Sequence, residues 1–142
     1  MTASIMTAME DKVSEQVATV LTGLSRGVAL GEQERNAAAS LFSALQGFTA
    51  IRDTMPLQYV MSFLLVALDE GQSVNEYARR AGVGTTVMSR HLLDIGVRNR
   101  HMEPGFGLVD YRPNPMELRK HEYFLTPKGR ALAHRILSMW RS

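Results

Sequence analysis

The chain has 142 residues, 45% of them hydrophobic and 21% charged, a balance that suits one soluble globular domain with its own core. It contains no cysteine, which excludes disulfides, zinc–thiolate sites and sensing by thiol oxidation. The net charge of +2 is unevenly spread: residues 1–71 carry four Lys/Arg against eight Asp/Glu (net −4), and residues 72–142 carry twelve against six (net +6).

Taken in order, Ile5, Met9, Val13, Val17, Val20 and Leu24 recur at three- and four-residue steps and predict a helix from about Thr7 to Ser25 with a narrow apolar stripe. Gly27 to Gly31 breaks it. A second amphipathic helix is expected from Glu32 to Phe48, with Glu32 and Glu34 favourably placed in its first turn and Ala38, Leu41, Phe42, Leu45 and Phe48 on one face. Thr54 reads as the cap of a third helix with Pro56 in its first turn, and Leu57 to Leu68 is apolar nearly all round, as a central buried helix would be. No apolar run is long enough to span a bilayer, and no basic region precedes an apolar core at the N-terminus, so a cytoplasmic protein without a membrane partner is expected.

From Ser73 to Ile95 the chain reads as two short helices joined by a glycine corner. Ser73 and Glu76 form an S-x-x-E capping box, and Val74, Tyr77 and Ala78 line the face that follows. Gly82-Val83-Gly84 supplies the turn, with Val83 as an apolar plug. In the second helix Met88, Leu92 and Ile95 form the apolar side, which leaves Thr85, Thr86, Ser89 and Arg90 outward, residues suited to a DNA groove. The basic half of the chain coincides with this unit, as binding to a polyanion requires, although mutual attraction of the two halves is the simpler reading of the asymmetry alone.

This stretch, with Gly107 to Leu132 (GLVDYRPNPMELRKHEYFLTPKGRAL), resembles the MarR family of bacterial winged-helix regulators. The second segment has a strand, a Pro-Asn-Pro turn, an acid-x-Arg signature at Glu117 and Arg119, a return strand ending Leu-Thr, and Pro-Lys-Gly-Arg opening a helix. The resemblance implies a mainly α fold with a small β wing, a winged helix-turn-helix with extra N-terminal and C-terminal helices. It divides the chain into N-terminal helices (1–54) and a C-terminal helix (127–142) expected to dimerise, around a DNA-binding region (55–126). It further implies a homodimeric, sequence-specific transcriptional regulator, most simply a repressor, on a roughly palindromic duplex. In the family the wing arginine enters the minor groove and the acid orients it, roles that fall here on Arg119 and Glu117. Leu118 stands where the family usually adds another arginine, a loss that Lys120, Arg112, Arg98 and Arg100 are placed to offset.

The segment Ile95 to Gly107 is longer than the family pattern. Three readings stay open: a recognition helix running on through Arg98 and Arg100, a basic loop over phosphates, or an insertion without a role. Other chemistry finds little support. His91, His101, His121 and His134 are isolated, no G-x-S-x-G elbow or phosphate-binding glycine loop occurs, and no metal, cofactor or enzymatic activity is expected. The family often binds small aromatic or anionic effectors; Phe42, Phe48, Tyr59, Phe63 and Trp140 could wall such a crevice, but at helical spacing they are core first, and no effector site is assigned. Two other uses of the fold remain, a protein-interaction module docking an acidic partner and a phage or plasmid accessory DNA-binding protein.

Overall fold

The structure is a computed structural model that describes residues 29–139. The stripe Ile5 to Leu24 and Trp140 lie outside the described residues. Its contacts divide the chain into Met1–Ala38 and Ala39–Ser142. The described part of the first unit holds the start of helix α1 (Glu32–Thr49), where the Gly31 N–H donates to Glu34 Oε1 at 3.2 Å. Glu32 and Glu34 lie in the first turn, next to the unpaired N–H groups of the helix start.

The second unit contains the rest of α1 and then α2 (Leu57–Leu68), α3 (Val74–Ala81), α4 (Thr85–Asp94), β1 (Val109–Pro113), β2 (His121–Leu125) and α5 (Pro127–Met139). Its core joins Ala44 and Phe48 of α1 to Val60, Phe63 and Val66 of α2, with Tyr77 and Ala78 of α3, Met88 and Leu92 of α4, and Leu132, Ala133 and Ile136 of α5. Phe48 and Phe63 meet edge to face with centroids 5.6 Å apart, a geometry worth about 0.5–1.5 kcal/mol beyond area burial. Gly47 lets α1 approach α5 closely, since a Cβ there would come within 2.6 Å of Ile136 Cγ2.

Two helices differ from expectation. On α1 only Ala44, Gly47 and Phe48 are buried, whereas Leu41, Phe42 and Leu45 of the expected face are exposed. On α2 the residue capping the start is Pro56, with no side-chain cap, so Thr54 does not serve. Nor is α2 buried all round. Val60, Ser62, Phe63 and Val66 face the core, while Leu57, Met61, Leu64 and Leu68, spaced along one stripe, are exposed. Apolar composition marked this helix correctly but did not reveal that one face lacks a cover within the described residues.

The sheet is a single antiparallel hairpin with Val109 opposite Leu125 and Pro113 opposite His121. Gly71 and Gln72 flank β2: the Gly71 N–H donates to Tyr123 O at 2.7 Å and the Tyr123 N–H to Gln72 O at 3.1 Å. The Leu-Thr-Pro-Lys-Gly-Arg run has a physical reading at four of its six positions. Leu125 is buried, and Thr126 Oγ1 accepts from the Gly129 N–H at 3.0 Å at the start of α5. Gly129 lies against the Leu108 backbone, and Arg130 grips Glu70 with two bonds of 2.9 and 3.1 Å. Burial would raise the Glu70 carboxyl, but Arg130 and the Leu125 N–H outweigh it and hold it below its ordinary value.

Candidate nucleic-acid interface

The helix pair is built much as its residues dictate. Ser73 Oγ accepts from the Glu76 N–H at 3.2 Å, one half of the capping box. The Glu76 carboxylate does not return a bond to the Ser73 N–H among the described residues and instead binds Arg79 and Arg80, which hold it at about 2. Arg80, whose side chain is 4% exposed, also reaches Asp69 at 2.9 Å and so ties α3 to the end of α2. Sequence reading missed it, because an arginine at this spacing looks like a solvated one. Tyr77 adds a second tie, its hydroxyl donating to Asp69 O at 2.7 Å, and burial pushes that hydroxyl up to about 12.

Gly82 takes the left-handed conformation at φ 69°, which permits the corner, and the Val83 N–H donates to Ala78 O at 3.0 Å. Val83 itself is exposed, so it does not plug the turn. On α4, Met88, Leu92 and Ile95 are buried as the periodicity predicted. Thr85, Thr86 and Arg90 are exposed and Ser89 is half-buried. Asn75, another residue that sequence reading passed over, accepts a hydrogen bond from the Thr85 hydroxyl at 3.0 Å. The polar Asn75 on the first turn of α3 was the only available signal.

At the far end of α4 the Tyr59 hydroxyl donates to Asp94 Oδ2 at 2.6 Å, which raises the tyrosine pKa. His91 lies edge-on to Tyr59 and its pKa is lowered by burial, against the pull of Asp94. The helix stops at Asp94, capped by Ile95, and does not run on through Arg98 and Arg100. Instead the inserted segment turns back on itself, with an Arg98–Pro104 bridge and an Asn99 side chain accepting from the N–H groups of His101 and Glu103. Arg100 lies 3.8 Å from Asp94. Arg98 is exposed and lines a crevice of about 200 Å³ with Leu93, Met102, Tyr111 and Tyr123.

The wing carries Arg112, Arg119 and Lys120. Asn114 Oδ1 accepts from the Met116 and Glu117 N–H groups and so shapes the Pro-Asn-Pro turn, with Met116 and Leu118 exposed beyond it. Arg112 stacks over Phe124, 4.1 Å from its centroid, and lies 3.5 Å from Glu122. Glu117 pairs with Lys120 at 3.1 Å, and Arg119 has no ion pair among the described residues. The expected clasp of Arg119 by Glu117 is therefore absent, because Lys120 occupies the carboxylate. Arg119, Lys120 and His121 do come together with Ser73, Val74 and Asn75, lining a cleft of about 180 Å³ between the wing and the start of α3. Thus Arg119 and Lys120 share a cleft with the helix pair, whereas Arg98 lines a separate one.

No family model matches the chain, and no curated protein sequence matches it. Solved structures do match by fold. A MarR family transcription regulator aligns with a TM-score of 0.53 at 19% identity, over 92% of this chain and 74% of that one. The transcriptional repressor CouR, bound to a 23-mer DNA duplex, aligns with a TM-score of 0.52 at 24% identity, over 82% and 75%. RV1404 from Mycobacterium tuberculosis gives 0.58 at 16% identity, over 92% and 73%. The chain has a mainly α winged helix-turn-helix fold with a two-stranded wing, of the MarR type.

Proposed function

We propose that the protein is a homodimeric, sequence-specific double-stranded DNA-binding regulator of transcription, acting as a cytoplasmic repressor that occludes a promoter. One observation carries this reading: the buried underside of α4 (Met88, Leu92, Ile95) leaves Thr85, Thr86 and Arg90 outward, beside a cleft edged by Arg119 and Lys120. Short hydroxyls with an arginine on a convex helix fit the major groove, and two exposed cations on a hairpin, Arg119 without an ion pair among the described residues and Lys120 beside Glu117, fit the phosphates or narrow minor groove alongside.

The dimer is supported by the exposed apolar residues of α1 (Leu41, Phe42, Leu45) and α2 (Leu57, Met61, Leu64, Leu68), which lack a cover among the described residues. A second copy of the chain is the occupant that also supplies a second reading head, which a two-fold operator with half-sites about 34–36 Å apart requires. We assign the interface to the N-terminal helices, the Ile5–Leu24 stripe among them, to α5 and to this exposed face of α2, and sedimentation of a chain lacking residues 1–26 tests the stripe's part: an undiminished dimer removes the stripe from the interface.

Selection from random duplexes tests the function. An enriched, roughly palindromic sequence is the expected result. Absence of enrichment at low salt, with retained binding to an acidic protein surface, would favour an interaction module instead.

A further inference from the structure

The Thr85 hydroxyl has one proton, and it is committed: Oγ1 donates to Asn75 Oδ1 at 3.0 Å. We infer that Asn75 is a specificity-determining positioning residue, which turns Thr85 into a pure hydrogen-bond acceptor and thereby selects a base bearing an exocyclic amine in the major groove. The inference rests on the DNA-reading function proposed above and names what one part of that surface reads.

The argument is one of donor and acceptor inventory. A free hydroxyl can donate or accept, so a lone threonine discriminates poorly between bases. With its proton held by an amide oxygen, Thr85 offers only lone pairs. In the major groove, cytosine N4 and adenine N6 present donors, whereas guanine O6 and thymine O4 present acceptors that would face those lone pairs with no proton between. Thr85 is exposed at the first position of α4, and Asn75 is exposed in the first turn of α3, so the pair lies at the helix end from which base contacts are made.

Thr86 provides an internal control. It is exposed on the same turn and its hydroxyl makes no hydrogen bond among the described residues, so that hydroxyl keeps both roles. Asn75 also lines the cleft that holds Arg119 and Lys120, which joins the threonine's orientation to the surface expected to meet phosphate.

The test is selection from random duplexes by the full-length wild type and by Thr85→Ala, Asn75→Ala and Asn75→Asp, each first checked for an unchanged melting profile. Thr85→Ala marks the operator position concerned, as the one whose preference flattens. At that position the wild type should favour cytosine or adenine over guanine or thymine by about three- to tenfold, the value of one hydrogen bond. Asn75→Ala should flatten the same position and no other. Asn75→Asp keeps an acceptor for the threonine proton and should retain the preference even if overall affinity falls, which a merely structural role for Asn75 would not produce. An enriched operator whose preference survives Asn75→Ala, or a wild-type preference for guanine or thymine there, would overturn this inference alone. Failure of the wild type to enrich any duplex would overturn the DNA-reading function and this inference with it.

Discussion

Replacing Glu117 by alanine should tighten DNA binding. In the free protein its carboxylate holds Lys120 at 3.1 Å, while Arg119 between them has no ionic partner among the described residues. Both members of the pair are more than half exposed, so the contact adds little to stability, and the melting temperature should not move. Its effect on binding is larger. Each cation newly free to neutralise a phosphate releases counterions and steepens the plot of log affinity against log salt by about 0.9. Between 1 M and about 0.15 M salt, that slope corresponds to roughly fivefold tighter binding per wing. The assay is fluorescence anisotropy with the selected duplex across a salt series, with Lys120→Ala and Arg119→Ala alongside. Arg119→Ala should flatten the slope by about the same amount, whereas Lys120→Ala, which removes a cation already held by Glu117, should change it little. The reasoning fails if Glu117→Ala weakens binding, since the carboxylate would then be orienting Arg119 once DNA is present and Lys120 would not be the group it restrains.

Arg90→Ala should cost about 1–3 kcal/mol at one operator position if the guanidinium reads guanine, or weaken all duplexes alike if it holds phosphate; unchanged affinity for every duplex removes it from the interface. Arg80→Ala should lower stability in urea denaturation by about 2–3 kcal/mol, less than a wholly buried broken pair because Asp69 and Glu76 are partly solvated, and a loss under about 0.5 kcal/mol would show that the tie between α2 and α3 is slack. The Glu76 carboxyl is held at about 2, below its ordinary 4.5, so its contribution is complete above the ordinary value and disappears as pH falls towards 2. Glu76→Gln should therefore reduce melting temperature at neutral pH and flatten the acid limb between those values; parallel curves for variant and wild type would contradict the linkage. Gly129→Ala should destabilise by about 3 kcal/mol or more, because its Cβ would fall 2.0 Å from the Leu108 carbonyl oxygen, a backbone atom that cannot swing aside; a wild-type melting curve would refute that contact.

Much of the helix pair was legible because its signals are local. Ser73 precedes Glu76 by one helical turn, the Gly82 and Gly84 pair brackets a corner, and Met88, Leu92 and Ile95 recur on one face; each bears on its neighbours within a turn or two. Apart from local misreadings at Thr54, Val83 and the wing turn, the errors involve groups whose fate depends on distant chain. Leu57, Met61, Leu64 and Leu68 are as apolar as Val60, Phe63 and Val66, and only the position of the other helices decides which set is covered. Arg80 is buried because Asp69, eleven residues earlier, lies beside it. Glu117 was matched to Arg119 by pattern, but the turn shaped by Asn114 delivers its carboxylate to Lys120. Asn75 and Thr85 are ten residues apart with a corner between them, so nothing in the linear spacing joins them.

The insertion illustrates how backbone bonding, more than charge, decides the course of a segment. A helix leaves its last four carbonyls without internal partners, and burial there requires that something supply N–H groups. At the end of α4 the inserted chain does so in sequence: the Phe106 N–H donates to Asp94 O at 3.2 Å, Leu108 to Ile95 O at 2.8 Å and Gly107 to Gly96 O at 2.9 Å. Such close backbone contact needs residues without side chains. A Cβ on Gly96 would meet Leu92 O at 2.8 Å, and one on Gly105 would meet Gly96 O at 2.3 Å. These glycines permit the backbone path that turns away from α4 in place of a helix continued through Arg98 and Arg100. The same segment brings Gly96 alongside Val109, covering the start of an otherwise open strand edge. Further along that strand the Tyr111 N–H is taken by Asp110 Oδ1 at 2.8 Å and Pro113 has no N–H to offer. This segment thus closes the end of α4 and protects the base of the wing, and its arginines follow from where that backbone path leaves them.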